Sequence, residues 1–325
     1  MSTVAAAEAR TAFYPSDQYG YASLLSEAEL AVLARLRAVL GGQVRPLLAD
    51  HWERGEFPGA IVRPLVDLRL MDPEELSRTG TVPSALYGGF RNFELARTDA
   101  SVATFYNAQS GLFRTAVNLG GSAEQAAELD PKIRSFEYKG VFALTEPEHG
   151  SDIAGGLETR ARREDGNWVI NGAKRWIGGA AGADVLAVFA RDEADRQVKA
   201  FLVPTGAPGV RLAKIHGKTS LRIMQNADIE LVDVVVPESA RLQNINSFKD
   251  VAALLRRMRS DVAWTATGVQ AGAYEAALRY VKERGQFGRP LASFQLIQEK
   301  LALMLANITA CLGMVVRLTR QQEQG

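Results

Sequence analysis

Cysteine is nearly absent: Cys311 is the single one among 325 residues, which excludes an intramolecular disulfide. Histidine is scarce too, and His51, His149 and His216 lack the spacing of a zinc site, so no metal is expected. Neither sign of charge is in excess. Thirty-eight Lys and Arg oppose 37 Asp and Glu for a net charge of +1, so no overall field draws the chain onto nucleic acid or an anionic membrane. Bilayer-length apolar runs are likewise expected to be missing, because the runs that stand out, Val185–Ala190 and Val232–Val236, are strand-length. The Ala-rich start, Met1–Gly20, carries Glu8 and Arg10 and no apolar core segment, so it does not read as a secretory signal; a soluble, cytoplasmic chain is the default expectation. Rossmann and Walker glycine loops and the Gly-x-Ser-x-Gly elbow of hydrolases are also missing. What remains, 47% hydrophobic and 23% charged, is an ordinary globular composition with room for two or three modules.

Periodicity divides the chain in three. Ser26, followed three residues later by Glu29 and then by Leu30, Leu33, Leu36 and Leu40, predicts a capping box and a helix that Gly41-Gly42 closes. A second cap stands at Ser122–Gln125, and residues 1–138 read as a helical N-terminal domain. From Lys139 the pattern turns to short β-rich runs at 140–144, 159–163, 168–170, 185–190, 199–203, 210–214 and 229–236. Asp165-Gly166 and Asn171-Gly172 both read as hairpin turns between them, so residues 139–245 are expected to form an antiparallel β-barrel domain. Helical spacing returns in 246–325 as two long antiparallel helices, separated by Gly285-Gln286-Phe287-Gly288-Arg289-Pro290. The fold class is α+β. Two helices bury their apolar faces poorly alone, so the C-terminal bundle is expected to be incomplete, its mates coming from another chain or from a segment beyond a truncated end.

The segment with most chemical promise is Ala143-Leu144-Thr145-Glu146-Pro147-Glu148-His149-Gly150-Ser151-Asp152, a strand running into a polar turn that can present amides and hydroxyls to a ligand edge. As a bland alternative it is a solvated strand-exit loop; a Ser–His hydrolase pair is the weaker option, since residues two apart on one turn rarely face each other. This decapeptide resembles the first signature of acyl-CoA dehydrogenases. In register with it stand Trp168 to Gly178 (WVINGAKRWIG), Leu221 to Ile229 (LRIMQNADI) and Glu283 to Leu291 (ERGQFGRPL), with Gln295 and Gln298 beyond. Together these cover the chain from about residue 20 onward. The subgroup most resembled is that of glutaryl-CoA dehydrogenases and plant short-chain acyl-CoA oxidases.

The resemblance implies FAD as cofactor, an acyl-CoA substrate, an α-helical, β-barrel, α-helical domain order and a homodimer or homotetramer. It puts Phe142, Leu144, Thr145, Trp176, Ile177 and Gly178 along the flavin, and Ser151 against FAD and the CoA moiety. Most relatives carry a hydroxyl residue where Gly178 stands. Arg284, Phe287 and Gln295 resemble residues that reach a neighbouring subunit's FAD, where a guanidinium suits a pyrophosphate. Local sequence alone would make Trp176 a core aromatic and Arg284 a helix C-terminal cation. Arg259 matches the arginine beside the substrate channel, whereas Arg256 and Arg257 read equally as a solvated face. Ala103, next to Thr104 in the substrate region, stands where glutaryl-CoA enzymes place an arginine for the distal carboxylate, which implies a monocarboxylic, short- to medium-chain acyl-CoA.

The implied reaction is α,β-dehydrogenation to a trans-2-enoyl-CoA, with electrons passing to an electron-transfer flavoprotein or, in an oxidase, to oxygen. The subgroup's base is a glutamate near the C-terminus, and no match for it is found. Another branch places its glutamate where this chain has Met258. Asp261 is the nearest carboxylate, but two residues along a helix turn about 200°, so it is expected to face away from Arg259's side. A non-catalytic flavin or acyl-CoA binder is the alternative class.

Overall fold

The computed structural model describes residues 13–78 and 80–324. Residues 1–12, most of the stretch read as lacking a signal, lie outside the described residues, as does Gly325. Helices fill the chain to Arg134, strands run from Gly140 to Pro237, and helices return from Phe248, giving an α+β fold with a curled sheet in the middle. By contacts the chain forms two units: Met1–Leu48, Ala60–Ala103 and Ser260–Gly325 make one, Ala49–Gly59 and Thr104–Arg259 the other.

In the first unit, helix α1 (Glu27–Val39) opens on the expected capping box, with Ser26 Oγ accepting from Glu29 N and the Glu29 carboxylate accepting from Ser26 N at 2.9 Å. Gly41-Gly42 do not end it. A π-helical turn, Leu40–Val44, carries the chain into α2 (Arg45–Arg54), because Leu40 and Val44 are both buried and the wide turn keeps them on the core side. Helix α3 (Ala85–Thr98), followed along the chain by α4 (Ala100–Asn107), α5 (Arg114–Gly120) and α6 (Ala123–Arg134), meets the long α7 (Phe248–Glu283) at glycine: a Cβ on Gly268 or Gly272 would lie 2.3 and 2.2 Å from the Phe93 and Arg97 carbonyls, and one on Gly89 would enter the Trp264 indole. Glu94, fully buried, accepts from Arg37 and Arg97, and Arg97 also pairs with Glu275. Helix α8 (Gln295–Gln324) runs antiparallel to α7, since Trp264 bonds Thr319 while Gln270 approaches Cys311.

Helix α8 corrects one expectation. From Leu301 to Val316 it carries no charge, and it is long and apolar enough to cross a membrane by length and composition, a test that core helices also pass. Leu296, Leu303 and Met314 are exposed on it.

The second unit is built on seven strands: β1 (Gly140–Ala143), β2 (Arg160–Glu164), β3 (Asn167–Gly178), β4 (Val185–Asp192), β5 (Val198–Pro204), β6 (Val210–Lys214) and β7 (Asn226–Pro237). The order β1-β4-β2-β3-β7-β6, with β5 also on β4, is mostly antiparallel; β1 and β2 join β4 in parallel. Strand β4 is buried on both faces, which explains its unbroken apolar run. Ala187 and Phe189 pack with Phe113, Val117 and Met258, and Leu186 and Val188 with Trp168, Ile170 and Ile229.

Asp165 and Gly166 both have positive φ, 50° and 80°, and make the expected β2–β3 turn. Asn171-Gly172 does not turn; it lies inside β3 opposite a bulge in β7, where Asn171 exchanges two hydrogen bonds with Asp233. Gly172 is required there by close approach, since a Cβ would meet Thr159 Oγ1 at 2.5 Å. A second π-helical turn, Ala108–Phe113, buries Gln109, whose side chain donates to the Ile133 and Tyr138 carbonyls and accepts from Gly140 N, fixing the entry to β1.

Candidate active site

Strand β1 ends where β3 is irregular, and the signature leaves the sheet between them. The Leu144 carbonyl accepts from Lys174 Nζ at 3.2 Å and the Thr145 carbonyl from Arg175 N at 2.9 Å. Lys174 is fully buried in β3, and its ammonium also donates to Phe189 O (2.6 Å) and Glu146 Oε1 (2.8 Å). Burial pulls it down to about 8, against the opposing field of Glu146. Burial pushes the Glu146 carboxyl up, but Lys174 and the amides of Glu158 and Thr159 outweigh it and hold it below the usual carboxylate range. Leu144 is buried and Phe142 half-buried against Phe189. The Thr145 amide and hydroxyl have no hydrogen-bond partner among the described residues.

Between Lys174 and Ile177, β3 advances three residues while β7 advances two, from Ile229 to Ala227. This bulge lets Lys174 and Ile177 both point inward and turns Trp176 out, at 51% exposure. Trp176 pays with a left-handed backbone, φ 64°, unusual for a bulky residue. Its carbonyl accepts from Asn226 Nδ2 at 2.9 Å, and Arg175 lies 5.1 Å from its ring centroid. Lys218 Nζ bonds Asn226 Oδ1 (2.6 Å), Leu221 O (2.8 Å) and Met224 O, tying the third motif to the bulge. Arg222 closes the C-terminal end of α2 by donating to the Trp52 and Glu53 carbonyls. At Gly178 a Cβ would sit 2.6 Å from Met224 Cε, so the thioether occupies the room a hydroxyl residue would need.

Phe142, Leu144, Thr145 and Trp176–Gly178 therefore share one end of the sheet, with Ser151 exposed in the turn beyond. His149 pairs with Asp152 at 2.8 Å, not with Ser151, which removes the nucleophile-pair alternative. Arg259 is exposed and has no ion-pair or hydrogen-bond partner among the described residues, while Met258 is buried among apolar side chains. In the first unit, Ala103 is buried, and Asp261, half-buried, is lifted by burial to about 6 against the pull of Arg91. Thr104 falls in the second unit. Arg284 and Phe287 are exposed on the turn before α8, where Phe287 (φ 52°) and Gly288 (φ 75°) close a two-strand ribbon, and Gln295 is exposed as the first residue of α8. An open cavity of about 590 Å³ beside the signature is lined by Glu146, Glu148, Glu158 and Glu193 against Arg160 and Arg162. Its carboxylates suit a phosphate-bearing ligand poorly, and it holds none of the flavin candidates.

Sequence reasoning quoted Lys174, Met224 and Asn226 only as letters of motifs and missed what each does; the one signal was a lysine set amid strand-forming apolar residues. A flat ring system with a polar edge fits the sheet end: Trp176 offers an exposed apolar face, and Thr145 an amide and hydroxyl with no partner among the described residues.

Comparison with known proteins is specific. Residues 26–137, 141–234 and 248–325 match the N-terminal, middle and C-terminal domains of acyl-CoA dehydrogenases. A probable acyl-CoA dehydrogenase of Bacillus subtilis (strain 168) is 34% identical over 280 residues, 83% of this chain and 72% of that protein. The mouse mitochondrial short-chain specific acyl-CoA dehydrogenase is 34% identical over 266 residues, 80% of this chain and 64% of its own length. The crystal structure of a glutaryl-CoA dehydrogenase from Mycobacterium smegmatis in complex with FADH2 superposes with a TM-score of 0.86 at 30% identity, covering 95% of this chain and 80% of that one. The chain belongs to the acyl-CoA dehydrogenase family.

Proposed function

We propose that the protein takes part in FAD-dependent α,β-dehydrogenation of a short- to medium-chain, monocarboxylic acyl-CoA, giving the trans-2-enoyl-CoA. The observation that carries this reading is the sheet end itself, where Thr145 bonds Arg175, the neighbour of the bulged Trp176, within a family match that runs through all three domains. Phe142, Leu144, Ile177 and Gly178 shape the apolar side of the site, Thr145 donates to the polar edge of the ring, and Trp176 shields it from water. FAD, when bound, supplies the acceptor for the hydride that leaves the substrate's β-carbon. Ser151 and the exposed guanidinium of Arg259 serve the CoA moiety and the channel. Arg284, Phe287 and Gln295, exposed here, serve the cofactor of a second copy in a homodimer or homotetramer, which also covers the apolar face of α8.

Ala103 supports the substrate assignment: a buried methyl offers a distal carboxylate no partner, and burying that charge unpaired is costly. The α-proton needs a carboxylate acceptor. Met258 cannot serve, and Asp261, near neutral in its titration, is the residue to test. The electron acceptor is an electron-transfer flavoprotein, with oxygen as the alternative.

The test is an anaerobic titration of the FAD-loaded protein with butyryl-CoA and, separately, glutaryl-CoA, following the oxidised-flavin absorbance. Bleaching by butyryl-CoA that Asp261→Asn abolishes makes Asp261 the base; bleaching that survives removes it from that role. Bound flavin that neither substrate bleaches assigns the chain a binding function without proton abstraction. Faster reduction by glutaryl-CoA overturns the substrate class.

A further inference from the structure

We infer that the buried Lys174–Glu146 pair is a positioning device, which holds the Leu144–Thr145 peptide so that the Thr145 amide and hydroxyl face the cofactor; this rests on the reading of Thr145 as a cofactor-facing residue. An ammonium has three N–H donors, and Lys174 spends all three, on Leu144 O, Phe189 O and Glu146 Oε1. Glu146 is equally saturated, its carboxylate accepting from Lys174 and from the amides of Glu158 and Thr159 at 2.6 and 2.9 Å, while its own N–H donates to His149 O. The pair thus joins the β1 exit, the start of β2, β3 and β4 through two side chains that are 0% and 3% exposed. Thr145 sits between two pinned neighbours. Its carbonyl is held by Arg175 N, and its amide and hydroxyl donate to no partner among the described residues, so its peptide has one orientation available and one side presented.

Stability alone is a poor account of such a pair. Two charges taken out of water recover little net free energy, and apolar replacements of similar volume are often as stable. What an apolar pair cannot do is grip the Leu144 carbonyl from inside the sheet. Removing one partner would strand a charge, so the test replaces both. In Lys174→Met/Glu146→Gln the glutamine Oε1 can still accept from one of the two amides, Glu158 N or Thr159 N, while the grip on Leu144 is lost.

The flavin-free protein and the variant are compared by thermal unfolding, and FAD affinity by quenching of flavin fluorescence, together with the absorption maximum of bound flavin. The expected result is an unfolding midpoint close to the parent's, an FAD affinity about tenfold or more weaker, and a shifted absorption band. A folded variant that binds FAD as the parent does, with an unshifted band, overturns the proposal. Should the double variant fail to fold, Glu146→Gln leaves the Lys174 ammonium the Leu144 and Phe189 carbonyls and an amide oxygen or nitrogen in place of its counter-charge, weakens the same grip and is expected to loosen FAD several-fold; unchanged affinity there overturns it equally. A parent protein that does not bind FAD fails the functional reading itself, an outcome visible before any variant is made.

Discussion

Replacing Gly178 by serine should reveal a two-residue compensation. An ideal Cβ at this position lies 2.6 Å from Met224 Cε and 3.4 Å from Asn226 Nδ2, whereas ordinary carbon contacts begin about 1 Å further out. Met224 is 1% exposed, so its methyl cannot swing into solvent and must displace packed neighbours. Overpacking of this kind costs about 1–3 kcal/mol, and the flexible end of a thioether puts this case near the lower part of that range, about 1–2 kcal/mol. The serine hydroxyl would also compete for Asn226 Nδ2, which already holds the Trp176 carbonyl at 2.9 Å. The measurement is urea unfolding of the parent, Gly178→Ser, Met224→Ala and the double variant. Met224→Ala alone should cost about 2–4 kcal/mol through the cavity it leaves. Serine added to that background should cost almost nothing, a coupling of about 1 kcal/mol or more. An equal cost of serine in both backgrounds would refute the idea that Gly178 is glycine because Met224 fills its space.

The remaining expectations use the same measurements. Gly268→Ala should destabilise the first unit by about 3 kcal/mol, because the clashing atom is the Phe93 carbonyl of a helix, which cannot rotate aside; a urea midpoint within error of the parent's would contradict this. Asp261→Asn should stabilise the protein by up to about 2 kcal/mol above pH 6. The sign follows from its raised folded value of about 6: between about pH 4 and 6 the folded state holds a proton that the unfolded state has released, so stability falls as pH rises through that window. Below about pH 4 both states are protonated and the gain should vanish; a gain independent of pH would refute burial as its cause. Lys218→Met should remove donors from Leu221 O, Met224 O and Asn226 Oδ1 together, costing about 2–3 kcal/mol, with a change in Trp176 fluorescence that a remote destabilising substitution would not produce.

Local chemistry was legible where a residue satisfies its own backbone. Ser26 and Ser122 cap the helices they precede, and Asp165-Gly166 turns β2 into β3. Legibility failed where a distant contact overrides a local preference. Gly41-Gly42 reads as a stop, yet burial of Leu40 and Val44 carries the helix through it as a π turn. Asn171-Gly172 reads as a turn, yet Thr159 demands a residue without a Cβ inside a continuous strand. The parallel docking of β1 and β2 on β4 leaves no periodic trace at all. Motif likeness named Leu144, Thr145 and Trp176, which the fold brings to one end of the sheet, while alternation alone would have placed Lys174 and Trp176 on one face. The bulge between them breaks the period of two, sending one inward and the other out.

Backbone strain links the motifs in a way their letters do not. Trp176, Leu221 and Phe287, one in each of the second, third and fourth motifs, are bulky residues with φ of 64°, 49° and 52°. Each such conformation costs about 1–3 kcal/mol and persists only where surrounding bonds over-determine it. For Trp176 and Leu221 those bonds converge on one ammonium: Lys218 holds Leu221 O directly and reaches the Trp176 carbonyl through Asn226. The left-handed turn at Trp176 is what exposes the indole, and an exposed indole has no folding benefit to offset its strain. A fold selected for stability alone would straighten β3 and bury the ring. The bulge, the strained tryptophan and the lysine that braces it fit the proposal that this sheet end receives a flat ligand.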